Sequence, residues 1–429
     1  MKKIQQTLTV EQVCRQKYNF WHPDLTLQVT SVPESDPKVT IIPNNNNYRI
    51  IIENSPEILN IFGKLNLNFS IFFQEPMLNG ARLSDNTTYK FKVFLETFLK
   101  VSEKTITETA VRKVLFLIAK ENEINEPREW CEQLPPSKGE GWLDKYLIEI
   151  CGAEDSKINR IIGRKWLVNI IARIHEPGCY SCSCLTFVST QNAGKTMFFQ
   201  LLLPQTDWQY DLPKNLGNTR DVAINSFGKL IGVFGEMSHL YSNRLETIKE
   251  YMTARTDTYV QKWDKSATTA KRMITFGGSS NDTEILTDNE NRRFWCVMGG
   301  SKFNLELLKQ IREQLWAEAL AEYKHAIANF SEPLFAWCLT SDENKMLQES
   351  NVKFEVRTSL ELYLEHLFSD VEKDLDFSLT EITQKWMDHR DVGQKYTPKQ
   401  VSKALEKLGW TKYRGGKRKD LTWFKKDKR

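Results

Sequence analysis

No apolar run in this chain approaches the ~18 residues a membrane helix needs, and its opening, MKKIQQTLTVEQVCRQ, lacks the apolar core of a secretory leader. A cytoplasmic protein without a membrane partner is therefore expected. Cysteine is sparse: eight in 429 residues, scattered along the chain, which predicts reduced thiols and not a disulfide framework. The one local group, Cys179, Cys182 and Cys184, has no second Cys or His pair nearby to complete a tetrahedral metal site. The alternation Cys182, Cys184, Thr186, Val188 reads instead as one face of a strand. The N-terminal region also lacks an acidic triad of the polymerase kind and a CxxH zinc-ribbon pattern, so a fused primase is not expected and a primase partner would be a separate protein. What is present, 40% hydrophobic and 27% charged residues, is the balance of an ordinary folded chain long enough for several domains.

The charge is uneven. Residues 395–429 hold thirteen Lys and Arg against Glu406, Asp420 and Asp427, a local balance of +10, so the rest of the chain stands near −6 within a net +4.

The stretch around which the rest is organised is 186–200, TFVSTQNAGKTMFFQ: an apolar β-type run, a polar turn, Gly194-Lys195-Thr196, and an apolar helix opening. A strand, loop and helix in that order turns backbone N–H groups and a positive helix end toward a phosphate. It reads as a P-loop for ATP, with Ser189, Asn192, Ala193 and Gly194 forming the cradle, Lys195 reaching the β/γ-phosphates and Thr196 available to Mg²⁺. Ser189 stands where the first glycine of the pattern usually falls.

Downstream, Leu230, Ile231, Val233 and Phe234 predict a short buried strand that delivers Glu236 to its end, where an acid can hold the metal's water shell or polarise the attacking water. An apolar strand over 273–276 ends in Gly277-Gly278-Ser279-Ser280-Asn281, and Asn281, just past the strand end, is a polar side chain placed to orient a water. Arg292 and Arg293 precede Phe294-Trp295 and suit charge on a transferred phosphoryl group, supplied in cis or from a neighbouring subunit.

The regions on either side carry structure more than chemistry. Over 1–125, alternating runs at 38–42, 48–52 and 69–73 predict strands. Phe91, Phe94, Leu95, Phe98 and Leu99 predict one helix, and Val111, Val114, Leu115 and Ile118 a second one capped by Thr105 or Thr107. The Pro/Gly-rich 127–141 reads as a connector, followed by helices over 142–151 and 158–175. After a linker at 331–354, helices over 360–368, 379–389 and 398–408 and a two-stranded ribbon predict a winged helix. It would bind duplex DNA, with Lys399, Lys403 and Arg414 on phosphates, Lys417 and Arg418 in the wing, and Gln400 as a candidate base reader.

Taken together, Pro177-Gly178, Gly194-Lys195-Thr196, Glu236, Ile248-Lys249, Gly277-Gly278, Asn281, Leu286 with Asp288, and the run from Asn291 through Arg292, Arg293 and Phe294 to Trp295 resemble the virulence-associated protein E family. So does the run from Gln314 to Ala319. The chain departs from the family's usual pattern at Ser189, at Val233, where a second acid is common, and at Val260, where an arginine is common. The resemblance implies a P-loop protein of phages and mobile elements, similar to superfamily three replicative helicases. It would have an AAA+-like core and assemble as a homo-hexameric ring, with a hairpin carrying Lys262, Trp263 and Lys265 to single-stranded DNA in the ring's channel. The expected architecture is an α+β/helical region at 1–125, an α/β P-loop core at 126–330, the linker, and a winged helix at 355–429. The expected function is an ATP-dependent helicase or replication initiator. A nucleotide-switched DNA-binding regulator with little turnover, or a phage-defence effector on the same core, are the alternatives.

Overall fold

The computed structural model describes residues 8–31, 35–181, 183–213, 216, 219–237, 245–260, 267–286, 292–368, 377–380, 382–384, 397–414 and 422–426. The chain divides into two compact units, 1–281 with 292–347, and 282–291 with 348–429.

The first unit opens with α1 (Val10–Tyr18), β1 (Leu27–Thr30), β2 (Lys38–Ile41), α2 (Asn45–Asn54), α3 (Pro56–Phe62), β3 (Leu67–Ser70), β4 (Glu75–Leu78), β5 (Ala81–Arg82), α4 (Asp85–Leu99), α5 (Glu108–Lys120) and β6 (Glu123–Ile124). The expected strand at 48–52 is a helix. Asn44 caps α2 by accepting from the Asn47 N–H at 2.9 Å, and Tyr48, Ile51 and Ile52 then fall on one buried face. The helical pair is as periodicity predicts, with Thr107 as the cap of α5 and Phe91, Leu95, Val111 and Leu115 fully buried between α4 and α5.

Next come α6 (Glu126–Glu132), α7 (Trp142–Glu149), α8 (Lys157–His175), β7 (Cys184–Val188), α9 (Lys195–Leu202), β8 (Gln209–Leu212), α10 (Thr219–Asn225), β9 (Ile231–Phe234), α11 (Leu245–Thr253), β10 (Thr256–Val260), β11 (Ala267–Lys271), β12 (Thr275–Ser280), β13 (Phe294–Met298) and α12 (Leu305–Asn329). The connector expected at 127–141 begins as helix α6. Its Pro127 lies in the first turn, where a missing N–H costs nothing.

A five-stranded, wholly parallel sheet in the order β13-β7-β12-β9-β8 forms the centre. β7 is buried at every residue, and α8 is buried nearly all round, as a helix clamped between a sheet and other helices must be. Trp166 of α8 donates its indole N–H to Phe276 O of β12 at 2.8 Å, and Trp316 of α12 donates to Leu202 O of α9 at 2.7 Å. β12 runs on through Ser280, so the strand expected over 273–276 includes the glycine and serine pairs that follow it, and Asn281 falls just past its end as expected. A Cβ on Gly277 would lie 2.6 Å from the Phe199 ring and one on Gly278 2.9 Å from Thr186 Oγ1, so glycine lets α9 and β7 approach the strand closely.

Residues 331–354, expected as a linker, carry 3-10 turns at Pro333–Ala336 and Val352–Phe354 and helix α13 (Ser341–Asn351) between them. The buried Lys165 ammonium holds part of this segment, donating to Phe335 O, Cys338 O and the Glu343 carboxylate at 2.7 to 2.9 Å.

The second unit contains α14 (Ser359–Leu367), β14 (Phe377–Ser378), α15 (Pro398–Lys407), β15 (Trp410–Arg414) and β16 (Thr422–Lys426). The sheet order is β14-β16-β15, all antiparallel, one strand more than the expected ribbon. Of the expected helix at 379–389, residues 379–380 and 382–384 are helical and the others lie outside the described residues. Leu360, Leu364, Ile382, Val401, Leu405 and Trp410 make the core. Within this unit Ile285 and Leu286 donate to Phe354 O, and Val356 donates to Leu286 O. Among the described residues, no helix is long and apolar enough to cross a membrane.

Candidate functional site

From β7 the chain runs to the far edge, β8, returns through β9 and β12, and crosses to β13 on the other side of β7. Connections from neighbouring strands therefore diverge at the C-terminal end of β7, which opens a crevice at the switch point of a parallel sheet.

The loop 189–194 fills this position and leads directly into α9. Its root is pinned on both flanks. Ser189 N donates to Ser280 O of β12 at 3.2 Å and Ser189 Oγ to Gly300 O beyond β13 at 2.6 Å, while Phe303 N donates to Ala193 O at 2.8 Å. The hydroxyl that stands in place of the expected first glycine thus ties the loop to the next strand's exit. The segment 299–304 forms a wall that the sequence reading passed over, and the Gly299-Gly300 pair after an apolar run was its only signal. Asn192 (φ 65°) and Gly194 (φ 104°) are left-handed, and a Cβ on Gly194 would lie 3.3 Å from Leu305 Cδ1. The loop thereby turns sharply enough to present the first-turn N–H groups of α9, which have no intrahelical partner.

Lys195 is 8% exposed. Its Nζ donates to Ser189 O (2.8 Å), Thr190 O (2.7 Å) and Asn281 Oδ1 (2.8 Å), and burial pushes its pKa below the ordinary lysine value. The structure therefore joins Lys195 and Asn281, 86 residues apart in sequence, in one contact. Ala193 is buried, whereas Asn192, Thr196 and Asn281 are exposed. β9 ends at Phe234, level with Gly278 of β12, and Glu236 follows two residues beyond that end. It is exposed, with φ 49°, and β9 lies two strands from β7, about 10 Å at ordinary strand spacing. A helix N-terminus, the Lys195 ammonium, the Thr196 hydroxyl and the Asn281 carboxamide thus come from the strand exits around one crevice, with Glu236 at the exit of β9. These groups fit a polyphosphate with its divalent cation: Lys195 and the loop N–H groups would meet the phosphates, and Thr196 and Glu236 would meet the metal.

Arg292 and Arg293 are not brought to this crevice. Phe294 pairs with Cys184, the first residue of β7, and Cys184 N donates to Arg293 O at 2.7 Å. In a parallel sheet that places both arginines at the opposite end, about 16 Å away along a five-residue strand. A role in cis is thereby removed. Arg292 is exposed; Arg293 is partly buried, and its Nε is without a hydrogen-bond partner among the described residues.

Lys262, Trp263, Lys265, Lys417 and Arg418 lie outside the described residues, as does the side chain of Arg414 in β15. Lys399 and Lys403 are exposed on α15. Gln400 has a structural task instead of a free edge: its Oε1 accepts from Thr397 N at 2.8 Å while Thr397 Oγ1 accepts from Gln400 N, a capping box that starts α15. Lys407 on the same helix is held by Glu355 (2.7 Å) and Glu361 (3.4 Å).

Fold and site together define a mixed α/β protein with a parallel five-stranded sheet and a lysine-bearing loop at its switch point. The sequence model of the virulence-associated protein E-like domain matches residues 131–356, and the chain belongs to that family. No curated protein matches it. Among solved structures, the A form apo structure of the NrS-1 C-terminal region is similar over 86% of this chain and 98% of that one, with 13% identity and a TM-score of 0.45. A second apo structure of that region covers 86% and 97%, with 12% identity and a TM-score of 0.42.

Proposed function

We propose that this protein is an ATP-dependent DNA helicase or replication initiator of a phage or integrated mobile element, working as a ring, with 189–196 as its P-loop. The observation that carries the reading is the meeting of Lys195 and Asn281 at the exits of adjacent parallel strands, with Glu236 just past the end of the strand beyond. ATP with Mg²⁺ supplies the transferable phosphoryl group and neutralises part of its charge. The loop N–H groups and Lys195 orient the phosphates; Thr196 and Glu236 hold the metal's shell; Glu236 polarises a water and Asn281 orients it. Arg292 and Arg293, far from their own crevice, act on that of a neighbouring subunit, which makes a ring, in family terms a hexamer, part of the site.

The second unit acts as a winged helix on duplex DNA, with Lys399, Lys403 and Arg414 on phosphates and Lys417 and Arg418 in the wing. Lys262, Trp263 and Lys265, between β10 and β11, grip a single strand in the channel. The test is ATP hydrolysis by the full chain with and without forked DNA. DNA-stimulated hydrolysis that Lys195→Ala abolishes is expected, and a folded wild-type protein that hydrolyses no ATP in either condition overturns the reading.

A further inference from the structure

All three donors of the Lys195 ammonium are already placed within the chain, on Ser189 O, Thr190 O and Asn281 Oδ1. A phosphate entering the crevice cannot gain this lysine until one of those contacts lets go. The three are not equal. Ser189 is fixed by its N–H to Ser280 O and its hydroxyl to Gly300 O, and Thr190 O also accepts from Ala193 N. Asn281 is an exposed residue just past the end of β12, and its carboxamide turns about two side-chain bonds without disturbing the sheet.

We propose that Asn281 is a latch on Lys195: in the nucleotide-free state its carboxamide holds the ammonium back against the loop, and nucleotide binding displaces it. The inference rests on the nucleotide reading above and adds a second state to it. When the lysine swings to a phosphate, the carboxamide is released at the moment a water must be oriented, so occupancy and readiness are coupled through one hydrogen bond. The consequence has a definite sign. A latch opposes binding, because only the unlatched fraction is competent and the apparent affinity falls by that fraction. Removing Asn281 therefore tightens nucleotide binding even as it slows turnover. A residue that only orients water would lower kcat and leave affinity alone, and one that only contacts phosphate would weaken affinity.

The experiment uses the full-length chain and Asn281→Ala. ADP affinity is measured by calorimetry, and the reactivity of Lys195 is measured by reductive methylation of nucleotide-free protein with peptide mass spectrometry. The latch predicts ADP binding tighter by about three- to tenfold, the scale of an ordinary net hydrogen bond at an exposed carboxamide, and methylation of Lys195 faster by a similar factor. Asn281→Ser, too short to reach the ammonium but able to hydrogen-bond water, should do the same and guards against a fold defect in the alanine variant. Equal or weaker ADP binding with unchanged methylation in the folded variants overturns the latch. If the wild type binds no ADP, the nucleotide reading falls, and methylation alone then decides whether Asn281 restrains Lys195.

Discussion

The Asp257 carboxylate and the Arg272 guanidinium close a two-pronged ion pair across the base of the β10–β11 hairpin. Its contacts are 2.6 Å from Nε and 2.5 Å from Nη2, with side chains 6% and 5% exposed. Arg272 also donates from Nη1 to Tyr251 O of α11 and lies 4.2 Å above the Tyr251 ring, and its own carbonyl accepts from Arg173 and Gly178. The buried guanidinium thus fixes the hairpin to α11, and the carbonyl of the same residue ties it to α8 and the turn that follows. Asp257→Ala leaves that charge without its partner, so unfolding in urea should report a loss of about 3 kcal/mol or more. Replacing both, Asp257→Leu with Arg272→Met, should restore much of it. A loss below about 1 kcal/mol in the single variant would show that water, not Asp257, solvates Arg272.

How far the sequence reveals this molecule depends on how local each signal is. Phe91, Phe94, Leu95, Phe98 and Leu99 repeat at helical spacing, and α4 buries all five. Tyr48 to Ile52 includes three isoleucines in a row, which suits either period; the Asn44 cap, a single hydrogen bond, settles it as helix. Gly277 to Ser280 has poor strand propensity; its pairing with β7 and β9, far off in sequence, makes it strand, and the nearness of Phe199 and Thr186 is why glycine suits it. Lys195, Glu236 and Asn281 were legible because each follows an apolar strand at its C-terminal end. For Arg292 and Arg293 the sequence leaves cis and trans roles open; both precede their strand, and only the parallel register shows that this places them at the other end of the sheet. The capping role of Gln400 was legible in the Thr-x-x-Gln spacing, but its exposed place on a basic helix suggested DNA instead.

Lys195→Ala should abolish ATP hydrolysis, since the crevice loses the buried Lys195 ammonium. The lysine head is more buried than a purely functional group would be, so the variant should also lose stability, by roughly 1 to 2 kcal/mol for its contacts. Hydrolysis and thermal unfolding, measured together, check both parts; parental turnover would remove the loop from the chemistry.

Glu236→Gln keeps the shape at a left-handed position and removes the carboxylate. Nucleotide binding should persist while turnover falls about 100-fold or more, the usual scale for a general base or water-positioning acid. Single-turnover hydrolysis at the parental rate would place the acid elsewhere.

Because the sheet separates Arg293 from its own crevice, an inactive Arg293→Ala protein mixed with inactive Lys195→Ala protein should regain partial hydrolysis, as mixed interfaces combine an intact loop with an intact arginine. The same holds for Arg292→Ala if that residue is the finger. Absence of recovery in assemblies shown to be mixed would make these arginines structural.

The last prediction separates stability from DNA recognition on α15. Gln400→Ala removes one arm of the capping box, so the second unit should lose about 1 kcal/mol, and Gln400→Glu, which rebuilds the box, should lose little. Duplex binding by Gln400→Ala should weaken equally for all sequences, because fraying the first turn shifts Lys399 and Lys403 without removing a base contact. Lys399→Ala and Lys403→Ala should instead leave thermal stability unchanged, both side chains being exposed, and each should flatten the salt dependence of duplex binding by about one unit of slope. Truncation tests should start at residue 358 and not 355, since Phe354 and Val356 carry the pairing with Ile285 and Leu286. Loss of 358–429 should then abolish duplex binding and spare basal hydrolysis. If Gln400→Ala changes base preference at full helix stability, the side chain reads DNA after all and the capping box is incidental.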